Sequence, residues 1–164
     1  MTLESTLQPV LGLKNDPVEI RTIVCATDLS EKSEKACEVA VSIAKQREGS
    51  RLVFVSVVKS IYVAMGDIAY GTEVVMENEE KYAREVETKL KRMVTRAKKL
   101  GVGNCEAIVR RGDPHHVLVE IINEIKPDLV VMGNRRPGYK KGIFLGSVSS
   151  RVAADSPTSV LIVR

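Results

Sequence analysis

The chain has 164 residues, 44% of them hydrophobic and 28% charged, with a formal net charge of +4. That is the length of one domain with enough apolar material for a core. There is no Trp and aromatics make up only 4%, which argues against a stacking platform for single-stranded nucleic acid; no apolar run approaches the roughly 18 residues that cross a membrane.

Residues 1–20 carry Pro9, Gly12 and Pro17 without clear periodicity. They are expected to form an N-terminal extension ahead of a domain over 21–164. Thr22-Ile-Val-Cys-Ala26 has the continuous apolar character of a buried strand. Asp28-Leu-Ser30 follows as a turn, with Ser30 as a helix N-cap. Ala36, Val39, Ala40, Ile43 and Ala44 recur at helical spacing and make one apolar stripe that Gly49 closes. Arg51–Val58 is a second strand, dense in β-branched residues. A loop around Met65 to Thr72 leads into a long helix ending at Leu100 and Gly101. Its expected inner stripe is Tyr82, Val86, Leu90, Met93, Ala97 and Leu100, and its Lys and Arg residues alternate with Glu, the mark of a solvated face rather than a nucleic-acid surface.

Cys105–Arg110 is a third strand. Gly112-Asp113-Pro114 then turns the chain, with Asp113 as N-cap and Pro114 in the first helical position. Val117, Leu118, Ile121, Ile122 and Ile125 form the next stripe, which Pro127 ends. Asp128–Met132 is a fourth strand, a helix runs from Ser147 to Pro157, and Ser159–Val163 is a fifth strand. Between the fourth strand and that helix, Arg135, Arg136, Lys140 and Lys141 stand without any Asp or Glu from Gly133 to Ala154. Such a local field favours an anionic ligand. Cys25, Cys37 and Cys105 are far apart, with no CxxC spacing. They are expected to be reduced, small apolar residues, and the expected location is the cytoplasm. His115 and His116 do not suggest a metal site, because adjacent helical residues face different ways and no third ligand has zinc-like spacing.

Strands alternating with helices imply a parallel sheet covered on both faces. Ligands of such sheets sit beyond the carboxyl ends of the strands, where the winding direction reverses. Asp28, Asp113 and the glycine-rich stretch after Met132 all follow such ends.

These segments resemble the universal stress protein family over roughly residues 21–164. The resemblance rests on Ile23-Val-Cys-Ala-Thr-Asp28-Leu-Ser-Glu31, on Ser56-Val57 where the family usually has His-Val, and on Gly112-Asp113-Pro114. Val131-Met132-Gly133, Gly146-Ser147 and the closing Pro157–Arg164 complete it. It implies a single-domain, three-layer α/β/α fold of the adenine nucleotide alpha hydrolase-like type, with a five-stranded parallel sheet in the order 3-2-1-4-5. It also implies a homodimer along the last strand, 159–163, and in many members binding of ATP or AMP without a strong catalytic constellation. Nucleotide-binding members carry a G-x2-G-x9-G-[ST] pattern. Gly133 and Gly146-Ser147 hold its outer places here, while Arg136 stands where the middle glycine would be.

The implied nucleotide-contacting residues are Ala26, Thr27, Asp28, Val57, Met132, Gly133, Arg135, Arg136, Gly146, Ser147 and Val148. Each also has a plainer reading. Gly146 and Ser147 open a helix whose unpaired amides and dipole favour phosphate, or Ser147 is simply an N-cap. Asp28 accepts from ribose hydroxyls, or it bonds its own turn. Ala26 and Val57 line an adenine pocket, or are core. Arg136 grips phosphate as a bidentate donor, or obstructs the approach that glycine allows. No Walker G-x4-G-K-[ST], Ser-His-Asp or Cys-His constellation is present. A slow ATPase and a nucleotide-independent scaffold are the alternatives to a binding module.

Overall fold

The computed structural model describes residues 19–59, 72–134 and 146–164. The expected extension up to residue 18, the loop before Thr72 and the basic segment with Arg135 and Arg136 lie outside them. The elements are β1 (Thr22–Ala26), α1 (Glu31–Ala44), β2 (Arg51–Val58), α2 (Thr72–Lys99), β3 (Asn104–Arg111), α3 (Pro114–Ile125), β4 (Leu129–Gly133), α4 (Ser147–Asp155) and β5 (Ser159–Val163). The sheet runs β3-β2-β1-β4-β5, and every pairing is parallel.

Side chains alternate across a strand, so each inner strand feeds two cores. Ile23, Cys25, Leu52, Phe54, Leu129 and Val131 face α1 and α2, meeting Ala36, Ala40, Val86 and Leu90. Val24, Ala26, Val53, Val55, Val130 and Met132 face α3 and α4, meeting Leu118, Ile121, Ile122 and Val152. The result is three layers. The alanine stripe of α1 lets that helix lie close to β1.

Several element ends differ from the sequence expectation, each for a local reason. Asp128 stands just before β4 rather than in it. Its carboxylate accepts from the amides of Arg21 (2.9 Å) and Thr22 (2.7 Å), while its own N–H donates to the Thr22 carbonyl (2.8 Å). This clamps β1 to β4 at their amino ends. The first helix stops at Ala44, short of Gly49, which turns the chain at φ +78°. Lys126 closes α3 in the left-handed conformation at φ 50°, ahead of Pro127. Tyr82 and Leu100, expected on the inner stripe of the long helix, are 53% and 54% exposed. A helix of 28 residues is about 42 Å long and the 8-residue strand beneath it about 26 Å. Its ends therefore pass beyond the sheet.

The Gly112-Asp113-Pro114 turn shows what its residue types do. Gly112 has φ +140°, and a Cβ there would sit 2.8 Å from Val117 Cγ2. Asp113 caps α3 by accepting from the amides of His115 (3.1 Å) and His116 (3.2 Å) through Oδ1. The hydrogen bond from the His116 amide leads the effects that hold this carboxyl below its usual range. Gly112→Ala should destabilise the fold by about 1–3 kcal/mol through backbone strain. Adding Val117→Ala should relieve the contact and leave the φ penalty, which urea unfolding of both variants will resolve. Asp113→Ala should cost about 1 kcal/mol at neutral pH, the usual value of a lost N-cap. Because the native carboxyl titrates below its unfolded value, the cap contributes fully above about pH 4 and is lost as pH falls through the lowered native value. The gap between wild type and Asp113→Ala should therefore close on acidification.

Candidate functional site

β1 is the central strand, and the chain leaves it toward β2 on one side and returns to β4 on the other. At its carboxyl end Thr27 extends the ladder by one bond, donating its N–H to the Val55 carbonyl at 2.9 Å. The chain then turns sharply. The Leu29 amide donates to Thr27 Oγ1 (3.0 Å), which supports Leu29 at φ +60°. Ser33 donates its hydroxyl to the Ser30 carbonyl (2.8 Å) and lies 2.9 Å from Thr27 Oγ1. With the Ser33 proton so placed, Thr27 is the donor in that contact. This buried hydroxyl chain fixes the rim beside β1.

Asp28 is exposed at the tip of the turn. Its Oδ1 accepts from the Ser30 amide (3.1 Å) and the Ser30 hydroxyl (2.5 Å). The turn reading of Asp28 therefore holds. Ser30 is the N-cap residue of α1 but makes no side-chain cap bond, because its hydroxyl is turned to Asp28.

On the other side of the reversal, Gly146 is the N-cap residue of α4, with φ −64° and ψ 156°. Two expectations are corrected here. Ser147 is the first helical residue, not the cap. The Gly146 amide is not unpaired: it donates to Asn134 Oδ1 at 2.9 Å. Asn134 in turn donates its N–H to the Val163 carbonyl (2.9 Å), so it extends the β4–β5 ladder. The Gly146 carbonyl accepts from the hydroxyls of Ser149 (3.0 Å) and Ser150 (2.6 Å) and from the Ser150 amide (2.9 Å). The first amides of a helix have no intrahelical partner. Those of Ser147 and Val148 have none among the described residues, and Ser147 is exposed.

These ends enclose a cleft of about 700 Å³. Its walls include Ala26 and Thr27 from β1 and the residue after it, Val55 to Val58 from β2, Leu118 from α3 and Met132 and Gly133 from β4. Asp28, Ser30 and Ser33 form one rim, and Gly146, Ser147, Val148 and Ser149 the other. Thus Ala26, Thr27, Asp28, Val57, Met132, Gly133, Gly146, Ser147 and Val148, spread through the sequence, border one space. Arg135 and Arg136 lie outside the described residues. The floor is largely apolar, suited to a ring with an apolar face. The α4 rim offers amides and the positive end of a helix dipole, suited to an anion.

Sequence reasoning missed Lys59 and Tyr82, which also border the cleft, and Asn134, which pins its α4 rim. Lys59 is the first charged residue after the apolar run of β2, at a strand's carboxyl end, and that position was a usable signal. Tyr82 has helical spacing with core residues, which hid it.

The histidine pair sits near the cleft at the start of α3. The two ring centroids are 4.8 Å apart and tilted by 47°, so adjacency does not send the rings far apart. One ligating atom from each of Asp113, His115 and His116 lies within 4.8 Å of the others. His115 Nε2 is 2.6 Å from Asp155 Oδ2, joining the start of α3 to the end of α4.

The sequence profile of the universal stress protein family matches residues 19–164. A universal stress protein encoded beside a QAH/OAS sulfhydrylase in Thermus aquaticus is 31% identical over 152 residues, covering 88% of this chain and 98% of that one. The universal stress protein UspA of Lactobacillus plantarum superposes with a TM-score of 0.79 at 19% identity, over 90% of this chain and all of the other, which is a likeness of fold. A universal stress protein solved in complex with cAMP is 30% identical, with a TM-score of 0.64 and coverage of 88% and 97%. The parallel order β3-β2-β1-β4-β5, the profile match and the near full-length relatives together place this chain in the universal stress protein family.

Proposed function

We propose that this protein is a stress-response module that binds an adenine nucleotide, ATP or AMP, in the cleft at the carboxyl ends of β1, β2 and β4, without a strong catalytic constellation. The observation that carries the reading is the pairing of an apolar floor with the first amides of α4, which have no partner among the described residues, in one cleft. Ala26, Val57 and Met132 would flank the adenine. Thr27 and Asp28, which border the cleft, would meet the ribose hydroxyls, and Asp28 would share with the ribose a carboxylate already used in its turn. Gly133 and the Ser147 and Val148 amides, with the Ser147 hydroxyl, would meet phosphate. Arg135 and Arg136 would add charge-assisted bonds from the segment between them. A related protein holding cAMP supports the adenine class.

Ser147→Asp separates this site from the fold. A carboxylate in the first turn favours the helix, but it repels phosphate. Calorimetric titration should show saturable binding of ATP and AMP to the wild type without phosphate release. Ser147→Asp should bind at least tenfold more weakly, about 1.4 kcal/mol, with no loss of thermal stability. Phosphate release that Asp28→Ala slows would instead make the protein an ATPase. Absence of saturable binding would leave a scaffold. Arg136→Gly should weaken ATP binding if its guanidinium grips phosphate, as we expect; tighter binding would identify an obstruction.

The same reading includes a homodimer through 159–163. β5 pairs with β4 along one edge, and among the described residues nothing pairs with its other edge. Leu161 on this strand is 38% exposed. Unpaired strand edges are templates for a second chain. Light scattering should report a dimer, and Leu161→Lys should shift it toward monomer; a wild-type monomer at working concentration would end this part of the reading.

A further inference from the structure

The family function makes no use of the cysteines, yet the fold brings two of them together. Cys25 Sγ in β1 and Cys37 Sγ in α1 are 3.6 Å apart, and both thiols are free. Cys25 is fully buried and Cys37 is 6% exposed. Cys37 also borders a second cleft, of about 630 Å³, between α1 and α2, with Glu34, Glu38, Lys89, Met93 and Phe54. A small polar molecule in that cleft reaches Cys37 first, with Cys25 directly behind it. We propose that Cys37 and Cys25 form a peroxide-reactive dithiol, in which Cys37 is the site of oxidation and Cys25 resolves it to a disulfide.

The chemistry balances with a hydroperoxide as the oxidant. The Cys37 thiolate attacks the terminal peroxide oxygen. An S–O bond forms, the O–O bond breaks, and the leaving oxygen takes a proton and departs as water or an alcohol. Cys37 is then a sulfenic acid, oxidised by two electrons that the peroxide has accepted. The Cys25 sulfur attacks the Cys37 sulfur, an S–S bond forms and the S–O bond breaks. The Cys25 proton leaves with the departing hydroxyl as water. The sulfurs must approach from 3.6 Å to about 2.05 Å. Ala36 and Ala40, beside Cys37 on α1, keep that side of the helix free of bulk.

The three cysteines are not equivalent. The hydrogen bond from Cys25 holds the Cys37 thiol below its ordinary range, against the opposing effect of burial. That same contact, with burial, drives Cys25 well above it. Burial pushes Cys105 up to about 11. Cys37 therefore carries the larger thiolate fraction of the two, and nucleophilicity, which falls with pKa, returns only part of that advantage. A net preference for Cys37 over Cys105 remains.

The test uses the full-length reduced chain, hydrogen peroxide at neutral pH, quenching by alkylation, and peptide mass spectrometry without reductant. The expected product is a peptide pair joined through Cys25 and Cys37, reversed by dithiothreitol, with Cys37 consumed ahead of Cys105. In Cys25→Ser the pair should be absent and the Cys37 sulfenic acid should be trapped by dimedone; in Cys105→Ser the pair should form as in wild type. The wild-type map stands alone if a variant fails to fold. Oxidation of Cys105 as fast as Cys37, linkage only between molecules, or a Cys37 that stays a thiol while others oxidise would each overturn the proposal.

Discussion

The structure depends on where the chain reverses its winding. β1 lies in the middle of the sheet, with β2 and β3 laid down on one side and β4 and β5 on the other. The winding therefore reverses at the carboxyl ends of β1 and β4, the place where sheets of this kind leave a crevice. The Asp128 carboxylate and the ladder bonds hold the amino ends of the same two strands tightly together. The sheet is thus closed at one pole and open at the other, and the open pole is the cleft.

The polar groups around that opening are mostly backbone and hydroxyl. Side-chain charge is sparse among the described residues: Asp28 and Lys59 border the cleft. The Thr27–Ser33–Ser30 chain is buried and internally satisfied, so it shapes the rim and holds it still. Buried polar groups that are fully paired specify geometry; unpaired ones are costly. Among the described residues, the donors left over lie at the first turn of α4. Gly146 contributes by posture more than by contact. Its amide goes to Asn134 and its carbonyl to Ser149 and Ser150, and this orients the amides that follow.

Most of the architecture was legible in the sequence because it follows from burial. Runs such as Ile23–Ala26 and Leu52–Val55 are buried on both faces, which only an inner parallel strand allows, and the helical stripes of α1 and α3 lie on the expected sides. Resemblance supplied the strand order, which periodicity cannot. The convergence of those segments on one cleft was legible, since segments that follow strand ends must share one pole. Its hydrogen bonding was not. Ser147 and Gly146 exchange roles as cap and first helical residue, and that depends on one backbone dihedral and on Asn134, twelve residues upstream. Tyr82 has the spacing of a core residue, yet it borders the open cleft and is exposed. The thiol contact of Cys25 and Cys37 arises from packing α1 over β1 and has no signature in their spacing.

The bond from the Gly146 amide to Asn134 also bears on how such a protein can diverge. It fastens the two ends of the segment 135–145 to each other and, through Asn134, to the sheet. Closing a longer segment over a fixed base costs only about 0.6 kcal/mol for each doubling of its length. Descendants can therefore rewrite that segment, exchanging arginine for glycine or lengthening it, while the domain beneath inherits its foldability unchanged. The make-up of that segment and the integrity of the fold become separately selectable traits.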